Sequence, residues 1–198
     1  MNRILLLDNY DSFTYNLVHI IKALGYGDHL TIVRNDKITL EEVNVFDKIL
    51  LSPGPGIPEE AGILKALIEK YGPSKSILGI CLGLQAIAEV YGAQLYNMDE
   101  VKHGVSSTIT INSNDVHIFK NIPNQFVGAH YHSWAVKKET LKAPLEVIGL
   151  DETGVVMAIK HQQYDVIGLQ FHPESIMTEY GEIMIKNWIE TEVVSHKS

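Results

Sequence analysis

Between Arg3 and Tyr91 the chain runs four times from a short apolar stretch into a segment whose apolar residues recur at helical spacing. Arg3 to Asp8 leads through the polar cluster Asp8-Asn9-Tyr10-Asp11-Ser12 into Phe13, Leu17, Ile20, Ile21 and Leu24, and the pattern stops at Gly25. Thr31 to Arg34 precedes Thr39, and Glu42 three residues further on completes the form of a capping box that opens a short helix. Lys48 to Ser52 enters the stiff, turn-rich loop Pro53-Gly54-Pro55-Gly56-Ile57-Pro58, followed by an amphipathic segment from Ile63 to Tyr71. Ser76 to Ile80 meets a helical pattern over Leu82 to Tyr91 with almost no linker. Strands that alternate with helices in this way imply a parallel sheet covered on both faces.

The second half reads differently. Val105 to Asn112, Glu146 to Leu150, Val155 to Lys160 and Val166 to Phe171 are β-like runs with few helical intervals, and a last helix is expected near Tyr180 to Val193. The expectation is an α/β fold, an open and mostly parallel sheet flanked by helices with an antiparallel extension in the C-terminal half. No repeat or linker divides the chain, so residues 1–198 read as a single domain.

A net charge of -8 argues against nucleic acid and anionic membranes as partners, because both would repel the chain. Only Ile4 to Leu7 are apolar before Asp8, too few for the core of a signal peptide, and a cytoplasmic location is expected. The single cysteine can supply neither an internal disulfide nor a multi-thiolate zinc site, so its surroundings must explain it.

Those surroundings are Gly79-Ile80-Cys81-Leu82-Gly83, where a strand must turn sharply into a helix. This is the cysteine form of a nucleophile elbow: the nucleophile takes a strained backbone conformation, and flanking side chains would collide with neighbouring backbone. A helix N-terminus and a nearby imidazolium both favour a thiolate. His172-Pro173-Glu174 follows the apolar run ending at Phe171, at the sheet edge where open α/β folds place their sites. In extended chain, residues two apart point the same way, so Glu174 can hold one imidazole nitrogen while the other faces the thiol. A thioester intermediate also needs an oxyanion hole. The backbone N–H of Leu82 is one candidate donor, and Gly54 in the stiff proline loop is the second.

Taken together, Leu51 to Gly56, Gly79 to Gln85 and Gly168 to Ser175 resemble the triad-type (class I) glutamine amidotransferases in order and spacing. Asp8 to Leu17 is similar to the glutaminase components of anthranilate synthase and aminodeoxychorismate synthase, and the resemblance covers nearly the whole chain. It implies that Cys81 attacks the side-chain amide of glutamine, that His172 protonates the departing ammonia, and that water releases glutamate. It also implies glutamine-binding roles for Gly54, Gly56, Gln85 and the Ser133-Trp134 pair. A separate synthase subunit would bind chorismate and Mg2+ and receive the ammonia, and this chain would need no cofactor of its own. The family commonly has His where this chain has Leu84, and often Arg where it has His130. His130, His132 and His161 raise a metal site as an alternative, but no carboxylate or thiolate stands at matching spacing, so no metal is expected. Rival readings are a glutaminase serving guanylate or carbamoyl phosphate synthesis, a non-hydrolytic regulatory subunit of the same fold, and a cysteine peptidase or redox thiol. The absence of a second cysteine weakens the redox version.

Overall fold

A computed structural model describes residues 2–112 and 115–192. Its elements are β1 (Ile4–Asp8), α1 (Thr14–Ala23), β2 (Leu30–Arg34), α2 (Leu40–Val43), β3 (Lys48–Leu51), α3 (Leu64–Tyr71), β4 (Ser76–Ile80), α4 (Leu82–Val90), β5 (Leu95–Ile111), β6 (Gln125–Val136), β7 (Leu145–Asp151), β8 (Val156–His161), β9 (Val166–Leu169) and α5 (Gly181–Glu190). Among the described residues the strands form one sheet, in the order β2-β1-β3-β4-β9-β8-β7-β5-β6. The first five of these positions are parallel. From β9 outward every pairing is antiparallel. The mixed sheet therefore has the expected form, a parallel half with an antiparallel extension. None of the described helices is long and apolar enough to cross a membrane.

Period-two alternation in the parallel strands sorts side chains to two cores. Ile4, Leu6, Leu50 and Leu78 join Leu17 and Ile21 of α1 and Met184, Ile185 and Trp188 of α5 on one face. Leu5, Leu7, Ile49 and Ile77 join Val43, Leu64, Leu67, Ile68 and Ile87 on the other. Both faces of the central strands are covered, so their sequences are continuous apolar runs. At the amino ends of these strands the fully buried Lys48 donates from Nζ to the carbonyl of Trp188 at 2.8 Å, a cation near the end of α5. Burial pushes this ammonium down to about 8.

Local signals hold where the sequence is regular. Thr39 and Glu42 form a reciprocal capping box at α2, with Thr39 N donating to the Glu42 carboxylate at 2.8 Å. The antiparallel half departs from expectation. β6 lacks the apolar alternation that marks a strand, because Gly128, His130, His132 and Ser133 interrupt it. Its partner β5 begins at Leu95 rather than Val105, through a charged stretch whose pairing with β6 slips between Asn97 and Lys102. The expected C-terminal limit of the last helix, Val193, lies outside the described residues, and α5 ends at Glu190.

The junction of β4 and α4 leaves no room for side chains on its glycines. A Cβ on Gly79 would lie 2.5 Å from the carbonyl carbon of Gly83 and 2.6 Å from its oxygen. One on Gly83 would lie 2.9 Å from Leu51 Cβ and its carbonyl oxygen. The first turn of α4 therefore rests directly on β3 and β4. Gly79→Ala is expected to lower stability by about 2 kcal/mol, the usual scale of overpacking. Urea unfolding measures it, and an unchanged midpoint would contradict this account of the junction.

Candidate active site

Cys81 is the residue between β4 and α4, and its backbone lies at φ 52°, ψ -99°. A non-glycine residue at positive φ costs roughly 1–3 kcal/mol unless its surroundings enforce it. Here they do: Cys81 N donates to Leu169 O at 2.7 Å, and Cys81 O accepts from Gln85 N at 3.0 Å as the helix begins. The sulfur is buried at the N-terminus of α4, and the side-chain Nε2 of Gln170 approaches it at 3.5 Å.

His172 follows β9, with its N–H held by Ala129 O at 3.0 Å and its carbonyl accepting from Thr178 Oγ1 at 2.6 Å. Nδ1 meets Glu174 Oε1 at 2.6 Å. The route to this contact differs from the sequence argument. β9 ends at Leu169, and residues 172–175 form a turn in which Ser175 N donates to His172 O at 3.2 Å, so the pair meets by chain reversal and not in extended strand. Both side chains are out of solvent, and the rings of Phe13 and Tyr131 stand edge-on to the imidazole at 5.5 and 4.9 Å. Burial alone would push the imidazole pKa down. Attraction to Cys81 and Glu174 outweighs it and raises His172 to about 10. Nε2 makes no hydrogen bond of regular geometry, and Cys81, with Glu174, is the group that favours the cation.

Beside the sulfur is a cavity of about 140 Å³ whose lining includes Gly54, Gly56, Cys81, Gln85, Ser133 and Trp134. The residues expected to hold a substrate thus surround the cysteine, although they come from three distant segments. Gly54 is needed for close approach: a Cβ there would lie 2.7 Å from Asn9 O and from Leu82 Cδ2. The two expected oxyanion donors, Gly54 and Leu82, are therefore packed together. Gly56 turns the loop at φ 72°, which favours glycine. Asn9 locks the loop from below, donating from Nδ2 to Ser52 O at 2.8 Å while its N–H donates to Ser52 Oγ at 2.8 Å. A second cavity, of about 390 Å³, reaches both Cys81 and His172 and is bordered by Tyr10, Asp11, Phe13 and Tyr131.

Comparison with known proteins shows the family. The family model "Glutamine amidotransferase class-I" matches residues 5–191. The chain belongs to the class-I glutamine amidotransferase family. It is 43% identical to the aminodeoxychorismate/anthranilate synthase component 2 of Bacillus subtilis, covering 95% of this chain and 96% of the relative. It is 41% identical to the aminodeoxychorismate synthase component 2 of Escherichia coli, over 94% of this chain and 98% of the relative. Among solved structures, a putative GMP synthase subunit from Thermoplasma acidophilum superposes with a TM-score of 0.84 at 26% identity, covering 96% of this chain and 92% of that one.

Within this amidotransferase the two departures from the family pattern have different settings. Leu84 is core: it is fully buried in α4, and its backbone packs where a Cβ of Gly168 would lie 3.0 Å away. His130 belongs to a buried polar row. Ser107 Oγ bonds His130 Nε2, His130 Nδ1 meets His132 Nε2 at 3.2 Å, and His132 Nδ1 reaches Trp134 O at 2.9 Å. His161 is elsewhere, stacked on Tyr164 at 4.2 Å and accepting from the N–H of Tyr164 at 3.0 Å. Among the described residues no group of three or more His, Cys, Asp or Glu side chains is arranged to hold a metal ion. Sequence reasoning did not single out Asn9, Tyr131 or Gln170 as site residues. Gln170, a polar residue inside an apolar run, is the one that carried a readable signal.

A histidine NMR titration should find His172 cationic through neutral pH and losing its proton near pH 10, whereas His132, pushed down to about 4 chiefly by burial, stays neutral. Cys81→Ala should lower the His172 midpoint. Titration of His172 near the ordinary 6.5 would contradict the close pairing described here.

Proposed function

We propose that this amidotransferase is the glutamine-hydrolysing subunit of a chorismate-utilising synthase, working through a Cys81-His172-Glu174 triad. The observation that carries the reading is the meeting of an elbow cysteine, a buried His172–Glu174 pair at 2.6 Å and the small cavity beside the sulfur. Cys81 Sγ attacks the side-chain amide carbon of glutamine, and the backbone N–H groups of Gly54 and Leu82 take the developing oxyanion. The tetrahedral intermediate collapses, the C–N bond breaks, and His172 gives its proton to the departing ammonia. Neutral His172 then takes a proton from water, which attacks the thioester and releases glutamate and the thiolate. Glu174 holds the imidazole orientation and balances its charge throughout. Gly56, Gln85, Ser133 and Trp134 hold the substrate, which fits their position around the cavity.

The ammonia passes to a partner subunit that binds chorismate and Mg2+, and this chain uses no cofactor of its own. The names of its relatives support this partnership. Anthranilate synthesis is the first reading of the product. Aminodeoxychorismate synthesis is the second, favoured by the relatives named for it. A cytoplasmic location belongs to the same reading. The partner surface includes the loop after β1, where Tyr10 is 47% exposed and fixed by a 2.6 Å hydrogen bond from its hydroxyl to Asp36. Phe13 of the same loop packs on Tyr131 and His172.

Mixing the purified chain with each candidate synthase tests the reading. Cys81→Ser should abolish product formation from glutamine while ammonium-dependent synthesis continues, and sustained glutaminase turnover in that variant would sink the assignment. Glu174→Ala should be roughly 10- to 100-fold less damaging than Cys81→Ala or His172→Ala, as for orienting carboxylates elsewhere. Glutamine hydrolysis should rise when the synthase and chorismate are added, by about 100- to 1000-fold if the partner aligns one oxyanion donor. An isolated chain already at the complex's rate would contradict that coupling.

A further inference from the structure

Around Trp134 O the direction of the buried hydrogen bonds is fixed by chemistry. A carbonyl oxygen only accepts, so Gln85 must present its NH2 group there, and Nε2 is 2.9 Å away. The same Nε2 lies 3.3 Å from Gln170 Oε1, so its second hydrogen is given to Gln170. With Oε1 occupied, the amide of Gln170 turns its own NH2 toward Cys81 Sγ at 3.5 Å. Turning either amide over would set donor against donor or acceptor against acceptor. Gln85 is 3% exposed and Gln170 fully buried, so water does not offer an alternative partner. His132, bonded to the same carbonyl, holds the acceptor in place from β6.

We propose that Gln170 is a further catalytic residue, a side-chain N–H donor to the reacting sulfur that favours the thiolate and aims it at the cavity. This rests on the reading of Cys81 as the nucleophile. A hydrogen bond to an ionised acceptor is stronger than one to a neutral thiol, so the donor favours the charged sulfur. Gln85 acts one step behind it as a positioning residue, because it fixes which end of the Gln170 amide meets Cys81. The wall that carries Ser133 and Trp134 is thereby tied to the nucleophile through two buried amides.

Alkylation of the purified chain by iodoacetamide tests this without glutamine or a partner. The sulfur displaces iodide, forming one S–C bond as the C–I bond breaks, and mass spectrometry follows Cys81. Gln170→Met keeps the length and removes the donor, and should lower the rate constant at neutral pH about tenfold. Gln170→Glu should lower it further by placing an anion beside the sulfur. The gap should narrow as the pH is raised, whereas a general packing defect would persist. His172, the cation that faces the same sulfur, is common to all of these proteins. Equal neutral-pH rates in native chain and Gln170→Met, with native Cys81 reacting faster than free cysteine, would overturn the role of Gln170 alone. Native Cys81 reacting no faster than free cysteine would overturn the nucleophile assignment as well. If the variants fail to fold, the Gln170 side-chain NH2 resonances of the native chain decide: they should move on alkylation of Cys81, and unmoved resonances would overturn the proposal.

Discussion

The close approach of α4 to β3 and β4 sets the position of everything else at the site. Gly79 and Gly83 let helix and strands meet without intervening side chains, and Cys81 takes the positive φ that the abrupt turn demands. The strain is retained because the peptide groups on both sides are engaged, by Leu169 O and by the first bond of the helix. The same geometry aims the sulfur across the carboxyl edge of the sheet. Parallel pairing of β3, β4 and β9 brings the proline loop, the cysteine and His172 to that one edge.

Burying a charged imidazole is costly unless a partner is fixed beside it. Glu174 meets that need at 2.6 Å, and the turn after β9 holds both groups with backbone and threonine hydrogen bonds. Phe13 and Tyr131 exclude water from the ring without offering it another polar partner. The charge therefore remains directed at Glu174 and the sulfur. The polar row behind the cavity works differently, since burial pushes His130 and His132 toward the neutral form, and the bond from Ser107 ties the row to β5.

The long β5–β6 hairpin joins the two roles. Its pairing slips opposite Tyr131 to Trp134, and β6 supplies Ala129 O to His172 and Tyr131 to the imidazole ring. Ser133 and Trp134 form one wall of the cavity. A strand that serves a site in this way carries buried polar residues at positions where a purely structural strand would carry apolar ones.

That substitution explains what could be read from the sequence and what could not. The parallel half was legible because its strands are buried on both faces and its helices have one apolar stripe, so local periodicity and tertiary environment agree. The elbow was legible for a similar reason: a steric demand on backbone leaves glycines at fixed offsets around Cys81, and the grouping of three motifs identified the family. β6 was hidden, because His130 and His132 are buried in a polar row with Ser107 of β5 and Trp134 O, and with Ser133 they break the alternation that would announce it. The contact of His172 with Glu174 was expected, but its path through a turn depends on bonds from Ala129 and Thr178, which no local pattern encodes. Local pattern alone encodes the alternation of elements and the steric form of the turn at Cys81. That Gln170 faces the sulfur and Tyr131 packs on the imidazole follows from the folded chain, because hydrogen-bond direction and ring contact arise between segments far apart in sequence.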